Sequence, residues 1–115
     1  MSEPIEINAG GWYLRALRSD ERVDDTPALA DAGITDPRYV TMRAQQWADD
    51  TLYSWAVCQP NTGELLAEVD LELHGDESAT MSTWARTGHD EALATGADAV
   101  RRFAEGALGL TIRSS

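Results

Sequence analysis

The stretch from Ala79 to Leu110 changes its periodicity once. Up to Ala85 the residues form a β-prone run whose side chains alternate between two faces, and the triplet Arg-Thr-Gly at 86–88 interrupts it. Beyond the triplet, apolar residues recur at intervals of three and four, which is typical of an amphipathic helix. The sequence therefore predicts a strand, a short turn and one long helix that packs on a sheet and ends at Gly109. The apolar positions of this helix are Leu93, Ala97, Val100, Phe103, Ala104, Ala107 and Leu108.

The preceding stretch predicts a β-hairpin. Thr51–Gln59 is rich in β-prone residues, and Pro60–Gly63 has proline early and glycine late, as hairpin turns often do. The return strand, Glu64–His74, alternates strictly, so one face of it should be apolar and the other mostly polar. Leu65, Ala67, Val69, Leu71 and Leu73 form the first face, and Leu66, Glu68, Asp70, Glu72 and His74 form the second.

A first strand is predicted at Trp12–Leu17, after a short alternating segment at residues 5–7. Two helices are predicted between this strand and the hairpin. Thr26 and Asp36 each stand directly before a proline, which makes them N-caps with proline at the first helical position. The second helix should end near residue 50. These two helices would follow the first strand in chain order.

Composition restricts the possible partners. The 115 residues include 20 acidic and nine basic ones, a net charge of −11, and every basic residue is arginine. Such a chain is unsuited to nucleic acids or anionic membranes and fits cationic partners, although a simply soluble surface is the favoured interpretation. With no long apolar run and no signal-like start, we expect a cytoplasmic protein. The single Cys58 allows no intrachain disulfide and is expected to be buried.

A row of carboxylates on the return strand is the most informative feature for chemistry. Glu68, Asp70 and Glu72 should lie about 7 Å apart, with His74 beyond them. Such a row offers a general base for an ammonium substrate, with Glu68 and Asp70 as candidates. A metal site is the alternative chemistry of such a row, and we predict none. In a closed site their repulsion would need an arginine or a metal, so a solvated face is the favoured interpretation.

Three segments resemble the GNAT superfamily of N-acetyltransferases. The pattern of strand, turn, x-x-x-A-L-A-T, helix and R-F-A-x-x-x-L-G-L resembles the family's acyl-CoA-binding core. The patterns I-x-I-x-x-G-x-x-L-R-x-L and V-C-Q-P-N-T-G-E-L-L-A-E-V resemble its first strand and its hairpin. The resemblance implies an α/β fold with a mixed, mainly antiparallel sheet of four or five strands. Two helices would follow strand 1, and one long helix would follow strand 4. The chain would form a single domain (1–115) that lacks the family's C-terminal strands and helix.

The resemblance also implies a reaction. Acetyl-CoA would be the co-substrate, and a small amine or a peptide N-terminus would accept the acetyl group. The acceptor pocket would include Tyr39, Met42 and Trp47, unless these three are core residues, which is the favoured interpretation. Glu68 or Asp70 would be the base, while the tyrosine that often serves as acid lies in the part of the family fold that is lacking. The residues expected to contact the carrier are Thr83, Trp84, Ala85, His89, Asp90, Glu91, Ala92, Leu93, Ala94 and Thr95.

The pyrophosphate motif departs from the family pattern Q/R-x-x-G-x-G/A. When this motif is aligned with His89–Ala94, only Ala94 matches it. His89 stands in place of the arginine or glutamine, and Ala92 stands in place of the first glycine. Asp90 and Glu91 place negative charge where a polyanion should bind. They also suit the first turn of a helix, and Thr87 with Asp90 has the spacing of a capping box, which is the favoured interpretation.

These departures leave a second hypothesis open. The chain would be a non-catalytic GNAT-like module that has lost acetyl-CoA binding and works in binding or dimerisation. A homodimer would use the polar face or the sheet edge near Ile112, because unpaired strand edges favour association. A third possibility is a fragment of a longer enzyme.

Overall fold

The computed structural model describes residues 2–114 as three helices on a six-stranded sheet. In chain order the elements are β1 (Ile7–Ala9), β2 (Trp12–Arg15), α1 (Thr26–Asp31), α2 (Tyr39–Asp49), β3 (Leu52–Cys58), β4 (Leu65–Leu73), β5 (Ser78–Ala85), α3 (Asp90–Ala107) and β6 (Thr111–Ser114). No helix within these described residues is long and apolar enough to span a bilayer.

The strands lie side by side in chain order, from β1 to β6, and every neighbouring pair is antiparallel except the parallel pair of β5 and β6. The predicted α/β class with a mixed, mainly antiparallel sheet is therefore confirmed. The sheet has one strand more than expected, because the alternating segment before Gly10 forms β1. Gly10 adopts a φ of +59°, which permits the tight turn that pairs Ala9 with Trp12. The two shorter helices consequently follow the second strand instead of the first, and the long helix follows the fifth strand instead of the fourth.

The predicted hairpin joins β3 and β4. Gly63 adopts a φ of +72°, and its N–H donates to the carbonyl of Gln59 at 2.7 Å. A register shift at Val57 and Cys58 interrupts the alternation at the start of β4. Leu65 therefore packs with Cys58 and Leu66 packs with the opposite cluster, so the strict alternation predicted from residue 65 onward is wrong for these two leucines.

Each sheet face has its own apolar cluster. On one face, buried residues of β3 and β4 pack with the apolar stripe of α3. On the other, a smaller cluster around Leu29 and Cys58 joins α1 and α2 to the sheet. Cys58 is buried as predicted, and burial raises the pKa of its thiol to about 11. Because both faces are covered, β3 and most of β4 are inaccessible to solvent.

Helix α2 is anchored at its C-terminal end. Trp47 is buried, stacks on Tyr53 at 4.4 Å between ring centroids and donates from Nε1 to the carbonyl of Ser54. The core interpretation thus holds for Trp47 but not for Met42, which is 43% exposed. Asp50 ends the helix with a φ of +56°, close to the predicted position.

The predicted N-caps of the two helices are displaced by one and two residues. Helix α1 has Asp25 rather than Thr26 as its N-cap, and this carboxylate binds Arg15 instead of the helix amides. Helix α2 has Arg38 rather than Asp36 as its N-cap, because Asp36 accepts a bond from the Arg38 N–H in the turn before the helix. The buried Arg15 also donates to the Gly63 carbonyl, so it ties β2 and α1 to the hairpin turn.

Helix α3 approaches the sheet most closely at Gly96. A Cβ placed on Gly96 would lie 2.6 Å from Cγ2 of Val57, which is buried on β3 and cannot easily move. The sequence pattern does not reveal the role of this glycine, since Gly96 stands in the apolar stripe as an ordinary small residue. At the other end, Gly109 adopts a φ of +66° directly after the helix, as predicted.

We predict opposite effects for two glycine substitutions on α3. Gly96→Ala should lower the free energy of unfolding by about 1–3 kcal/mol, because the added methyl group overpacks Val57. Gly106→Ala should raise it by about 0.5–1 kcal/mol, since nothing lies within 4 Å of the added Cβ and alanine favours the helix. Urea unfolding of both variants measures the difference, and equal stabilisation by the two would disprove the close packing.

Candidate functional site

The predicted carboxylate row divides into a buried and an exposed part. Glu68 is fully buried and Asp70 is 7% exposed, whereas Glu72 and His74 lie in solvent. The favoured interpretation of a solvated row is therefore wrong for Glu68 and Asp70. The reason is tertiary, because residues of α2 cover this part of the sheet face.

Two residues one helical turn apart on α2 contact the buried carboxylates. The Tyr39 hydroxyl donates to Glu68, 2.8 Å from Oε1 and 3.0 Å from Oε2. The Arg43 guanidinium donates from Nε to Glu68 Oε2 at 3.2 Å and from Nη2 to Asp70 Oδ2 at 3.4 Å. Its Nη1 binds Gln46 Oε1 at 2.8 Å. Arg43 thus provides the arginine that a closed carboxylate site requires.

The protonation of this cluster follows from its burial. Desolvation raises the pKa of Asp70 to about 9, the hydrogen bond with Glu68 and the charge of Glu68 add to the rise, and Arg43 offsets only part of it. Desolvation and Glu68 also raise the pKa of the Tyr39 phenol. Both raised pKa values favour the protonated forms of Asp70 and of the Tyr39 phenol at neutral pH.

Three buried polar atoms near this cluster have no hydrogen-bond partner among the described residues. They are Ser54 Oγ, Asp70 Oδ1 and Trp84 Nε1. Ser54 and Trp84 lie on the strands that flank β4, directly opposite Asp70 and Glu68 respectively. The cluster therefore has unsatisfied polar atoms on its sheet side.

The predicted strand, turn and helix adjoin as expected. β5 ends at Ala85, Gly88 turns the chain with a φ of +86°, and α3 begins at Asp90. The first hydrogen bond of the helix runs from the N–H of Leu93 to the carbonyl of His89. Because a helix leaves its first amides without intrahelical partners, those of residues 90–92 face the turn.

The individual residues of the expected carrier site differ in exposure. Asp90 and Glu91 are exposed, whereas Ala92 is buried in the core cluster with α3 and contributes only backbone to the turn. The N-cap of α3 is His89, and among the described residues its side chain makes no capping hydrogen bond. The predicted capping box, in which Thr87 would be the N-cap and Asp90 its partner, is therefore wrong. The structure brings Thr83–Ala85 and His89–Thr95 into one continuous strand, turn and helix start.

Arg86, which follows β5 directly, is a residue of this region that the sequence motifs do not single out. Its Nε lies 3.0 Å from Asp31 Oδ2, and its Nη1 lies 3.0 Å from the Leu65 carbonyl and 3.5 Å from Glu64 Oε2. The cation nearest to the turn is therefore already paired. Its position as the first residue after a predicted strand is the one sequence signal that could have drawn attention to it.

Arg86 borders a cavity of about 490 Å³, which we call the hairpin cavity. It lies between α1, the segment before α1 and the β3–β4 turn. Carboxylates outnumber guanidinium groups in its lining, which favours cationic over anionic ligands. The charged lining residues are Arg22, Asp24, Asp25, Asp31, Glu64 and Arg86.

The second cavity, of about 230 Å³, lies between α1 and α2 and is called the α1–α2 cavity. Tyr39 lines it and links it to the buried carboxylates through the hydroxyl bond to Glu68. Glu68 and Asp70 line neither of the two cavities. Within residues 2–114, no group of three or more His, Cys, Asp or Glu side chains is placed to hold a metal ion.

The fold is shared with acetyltransferases of known structure. A protein described as a ribosomal-protein-serine acetyltransferase from Vibrio cholerae superimposes with a TM-score of 0.82 at 16% identity, over 99% of this chain and 75% of that one. Mycobacterium smegmatis RimJ in complex with CoA-disulfide gives a TM-score of 0.68 at 17% identity, over 97% and 65% of the two chains. A GNAT-family acetyltransferase from Bacillus anthracis gives a TM-score of 0.66 at 13% identity, over 96% of this chain and 72% of that one.

The sequence matches no protein-family model and no curated protein. At the identities found, the structural likeness establishes the fold. The chain is therefore a GNAT-like domain in fold, as its sequence patterns suggest.

We predict that Arg43 is required to keep the two carboxyl groups buried. Arg43→Met should lower the free energy of unfolding by about 3 kcal/mol at pH 8, because it leaves buried negative charge unpaired. The loss should be greater at pH 10, above the pKa of about 9 at which Asp70 ionises and its negative charge also needs Arg43. Urea unfolding at both pH values measures it.

A matched control lies just before the same helix. Arg38→Met removes an arginine whose side chain is 86% exposed and whose nearest carboxylate contact is 3.9 Å, so it should change stability by no more than about 0.5 kcal/mol. Equal losses in the two variants would show that Arg43 acts only as an ordinary surface cation.

Proposed function

We propose that this chain binds acetyl-CoA and transfers its acetyl group to a primary amine, either a small amine or a peptide N-terminus. The observation that carries the proposal is the superposition on acetyltransferases over almost the whole chain, up to a TM-score of 0.82. One of the similar structures contains a CoA-disulfide, and another is described as acting on a ribosomal protein. Those properties belong to these proteins and support the proposal for this chain by their shared fold.

The carrier would bind where β5 meets α3. The amides of residues 90–92 at the start of α3 would hold the pyrophosphate, because helix N-termini favour anions. The amide of Leu93 already donates to the His89 carbonyl, so the expected site is shortened to the first turn of the helix. Thr83, Trp84 and Ala85 would pair with the pantetheine through their backbone. In the described residues, β6 pairs with β5 only from Ser78 to Met81, so the last part of β5 has an unpaired edge on that side.

The acceptor would bring a positive charge, and the hairpin cavity is suited to it. This cavity begins at Arg86, directly after the proposed pantetheine segment, and carries an excess of carboxylates. An ammonium group would be stabilised there by nearby negative charge. Acetyl-CoA would supply the thioester that the deprotonated amine attacks.

Of the two candidate bases, Asp70 has the oxygen that is free to accept a proton. Both oxygens of Glu68 accept hydrogen bonds from α2, whereas Asp70 Oδ1 has no partner among the described residues. Because burial raises the pKa of Asp70 to about 9, Asp70 would act as the base only at alkaline pH, where it is ionised. Both groups lie beneath α2. A substrate amine would therefore reach Asp70 only when α2 moves away from the sheet.

A second candidate function rests on the charges at the turn. Asp90 and Glu91 are exposed at the proposed pyrophosphate site, and Arg86 is paired with Asp31 and Glu64. A chain with this arrangement would serve as a non-catalytic binding or dimerisation module if the repulsion exceeds the attraction of the helix amides. In both cases we treat residues 1–115 as one domain.

Titration calorimetry with acetyl-CoA at low salt separates the two functions. The acetyltransferase proposal predicts binding with a micromolar dissociation constant. No heat up to millimolar acetyl-CoA would contradict it, and a dimeric mass of the same sample would then favour the dimerisation module.

We predict that the acidic residues at the turn weaken carrier binding. The double variant Asp90→Asn/Glu91→Gln should bind acetyl-CoA about three- to tenfold more tightly at low salt, because like-charge repulsion near the pyrophosphate is removed. The gain should shrink as salt is added.

The control removes the same charge farther along α3. Asp98→Asn/Glu105→Gln should change the affinity by less than about twofold, since these exposed side chains lie two or more turns from the helix start. An equal gain in both double variants would show that only net charge matters, and no gain in the first would remove repulsion at the turn as the factor that limits binding.

A further inference from the structure

The hairpin cavity has a floor that buried hydrogen bonds hold in place. Asp25, which lines the cavity, is buried and accepts two hydrogen bonds of 2.8 Å from the guanidinium of Arg15. The same guanidinium donates to the carbonyl of Gly63, which also lines the cavity, at 2.9 Å. Arg15 therefore joins the two sides of the cavity, the segment before α1 and the β3–β4 turn. The space between them is formed in the absence of a ligand, which reduces the cost of binding one.

One wall of the cavity, which we call the acidic wall, consists of Asp31 and Glu64 with Arg86 between them. Arg86 lies 3.0 Å from Oδ2 of Asp31 and 3.5 Å from Oε2 of Glu64. Each carboxylate uses one oxygen in this contact, and Asp31 Oδ1 and Glu64 Oε1 have no hydrogen-bond partner among the described residues. The two side chains are 62% and 53% exposed, so a ligand in the cavity can reach both oxygens.

The charges of the lining show how many positive charges a ligand should carry. Among the described residues, four carboxylates of the lining face three guanidinium groups, those of Arg22, Arg86 and the buried Arg15. Arg15 is matched with Asp25, and Arg22 and Asp24 contribute one charge of each sign. The excess of one negative charge therefore lies at the acidic wall. A ligand with one positive charge would neutralise it, whereas a second positive charge would find no matching carboxylate.

The cavity also has an apolar part. Val23, Pro27, Ala28 and Leu65 line it, and Leu65 is buried at the start of β4. The volume of about 490 Å³ lies in the range of small-molecule sites and is more than an ammonium group alone would fill. A ligand that suits this lining consequently has an apolar body as well as a charge.

We propose that the hairpin cavity binds a primary amine with one positive charge and an apolar body, whose ammonium group contacts Asp31 Oδ1 and Glu64 Oε1. In the proposed acetyl transfer, on which this role rests, the amine would be the acceptor. Its ammonium group would give one proton to the general base before attack and a second to the departing CoA thiolate, as the nitrogen–carbon bond forms and the carbon–sulfur bond breaks.

Four probes with the same six-carbon chain test the class of ligand. They are hexylamine, hexamethylenediamine, aminocaproate and hexanol, which carry at neutral pH one positive charge, two positive charges, one charge of each sign and no charge. The experiment is an amide chemical-shift titration in about 0.15 M salt, which screens the long-range field of this acidic chain. Hexylamine should shift the signals of Gly63, Glu64 and Arg86 saturably at millimolar concentration. Each of the other probes should bind at least about threefold more weakly.

Equal or tighter binding of the diamine, the zwitterion or the alcohol would overturn the proposed class of ligand. The absence of saturable shifts with hexylamine would overturn the site itself.

Two variants that remove the same charge test where the ammonium group lies. Asp31→Asn should weaken hexylamine binding by about three- to fivefold, because one of the two contacting carboxylates is lost. The control Asp98→Asn should change it by less than about 1.5-fold. Asp98 lies on α3, its side chain is also 62% exposed, and it also contacts an arginine, Arg102 at 3.3 Å. Equal weakening in the two variants would overturn the site. Should Asp31→Asn fail to fold, Glu64→Gln carries the same expectation.

These titrations contain no acetyl-CoA, so they measure the cavity alone. Binding of acetyl-CoA without saturable binding of hexylamine would overturn the amine site and leave the proposed acetyl transfer in place. Binding of hexylamine without binding of acetyl-CoA would support the amine site and contradict the transfer.

Discussion

Burial of β3 and β4 on both faces is the constraint on which the rest of this structure depends. These two strands pair from Leu52 to Cys58, and almost every side chain on them is inaccessible to solvent. Helix α3 covers one face with an apolar stripe, so close that Gly96 is required against Val57. The other face carries charged and polar residues, and its cover must therefore bring matching groups.

Two arginines provide that match on the second face. Arg15 binds Asp25 with two bonds of 2.8 Å and ties the first helix to the hairpin, and Arg43 binds the carboxyl pair from α2. Removing one partner of such a buried pair is far more damaging than losing a surface contact. The same helix that neutralises the carboxyl groups thus also controls access to Asp70, which links the stability of this face to the proposed chemistry.

Much of the fold was predictable because its signals are local. The hairpin, the long helix and its end at Gly109 follow from periodicity and turn residues, and the resemblance placed them in the correct family of folds. Tertiary contacts were not predictable in this way. The burial of Glu68 and Asp70 depends on the docking of α2, the tight contact at Gly96 depends on where α3 crosses Val57, and the pairing of Arg86 depends on Asp31, which is 55 residues away in sequence.

The strand, turn and helix start from Thr83 to Thr95 are the proposed place of carrier binding, and an amide chemical-shift titration with acetyl-CoA tests this most directly. The account predicts that the signals of Thr83–Ala85 and of residues 90–92 shift together and saturate, while those in the second half of α3 stay unchanged. Saturating shifts confined to another region, such as the hairpin cavity, or no shifts at millimolar acetyl-CoA, would contradict it.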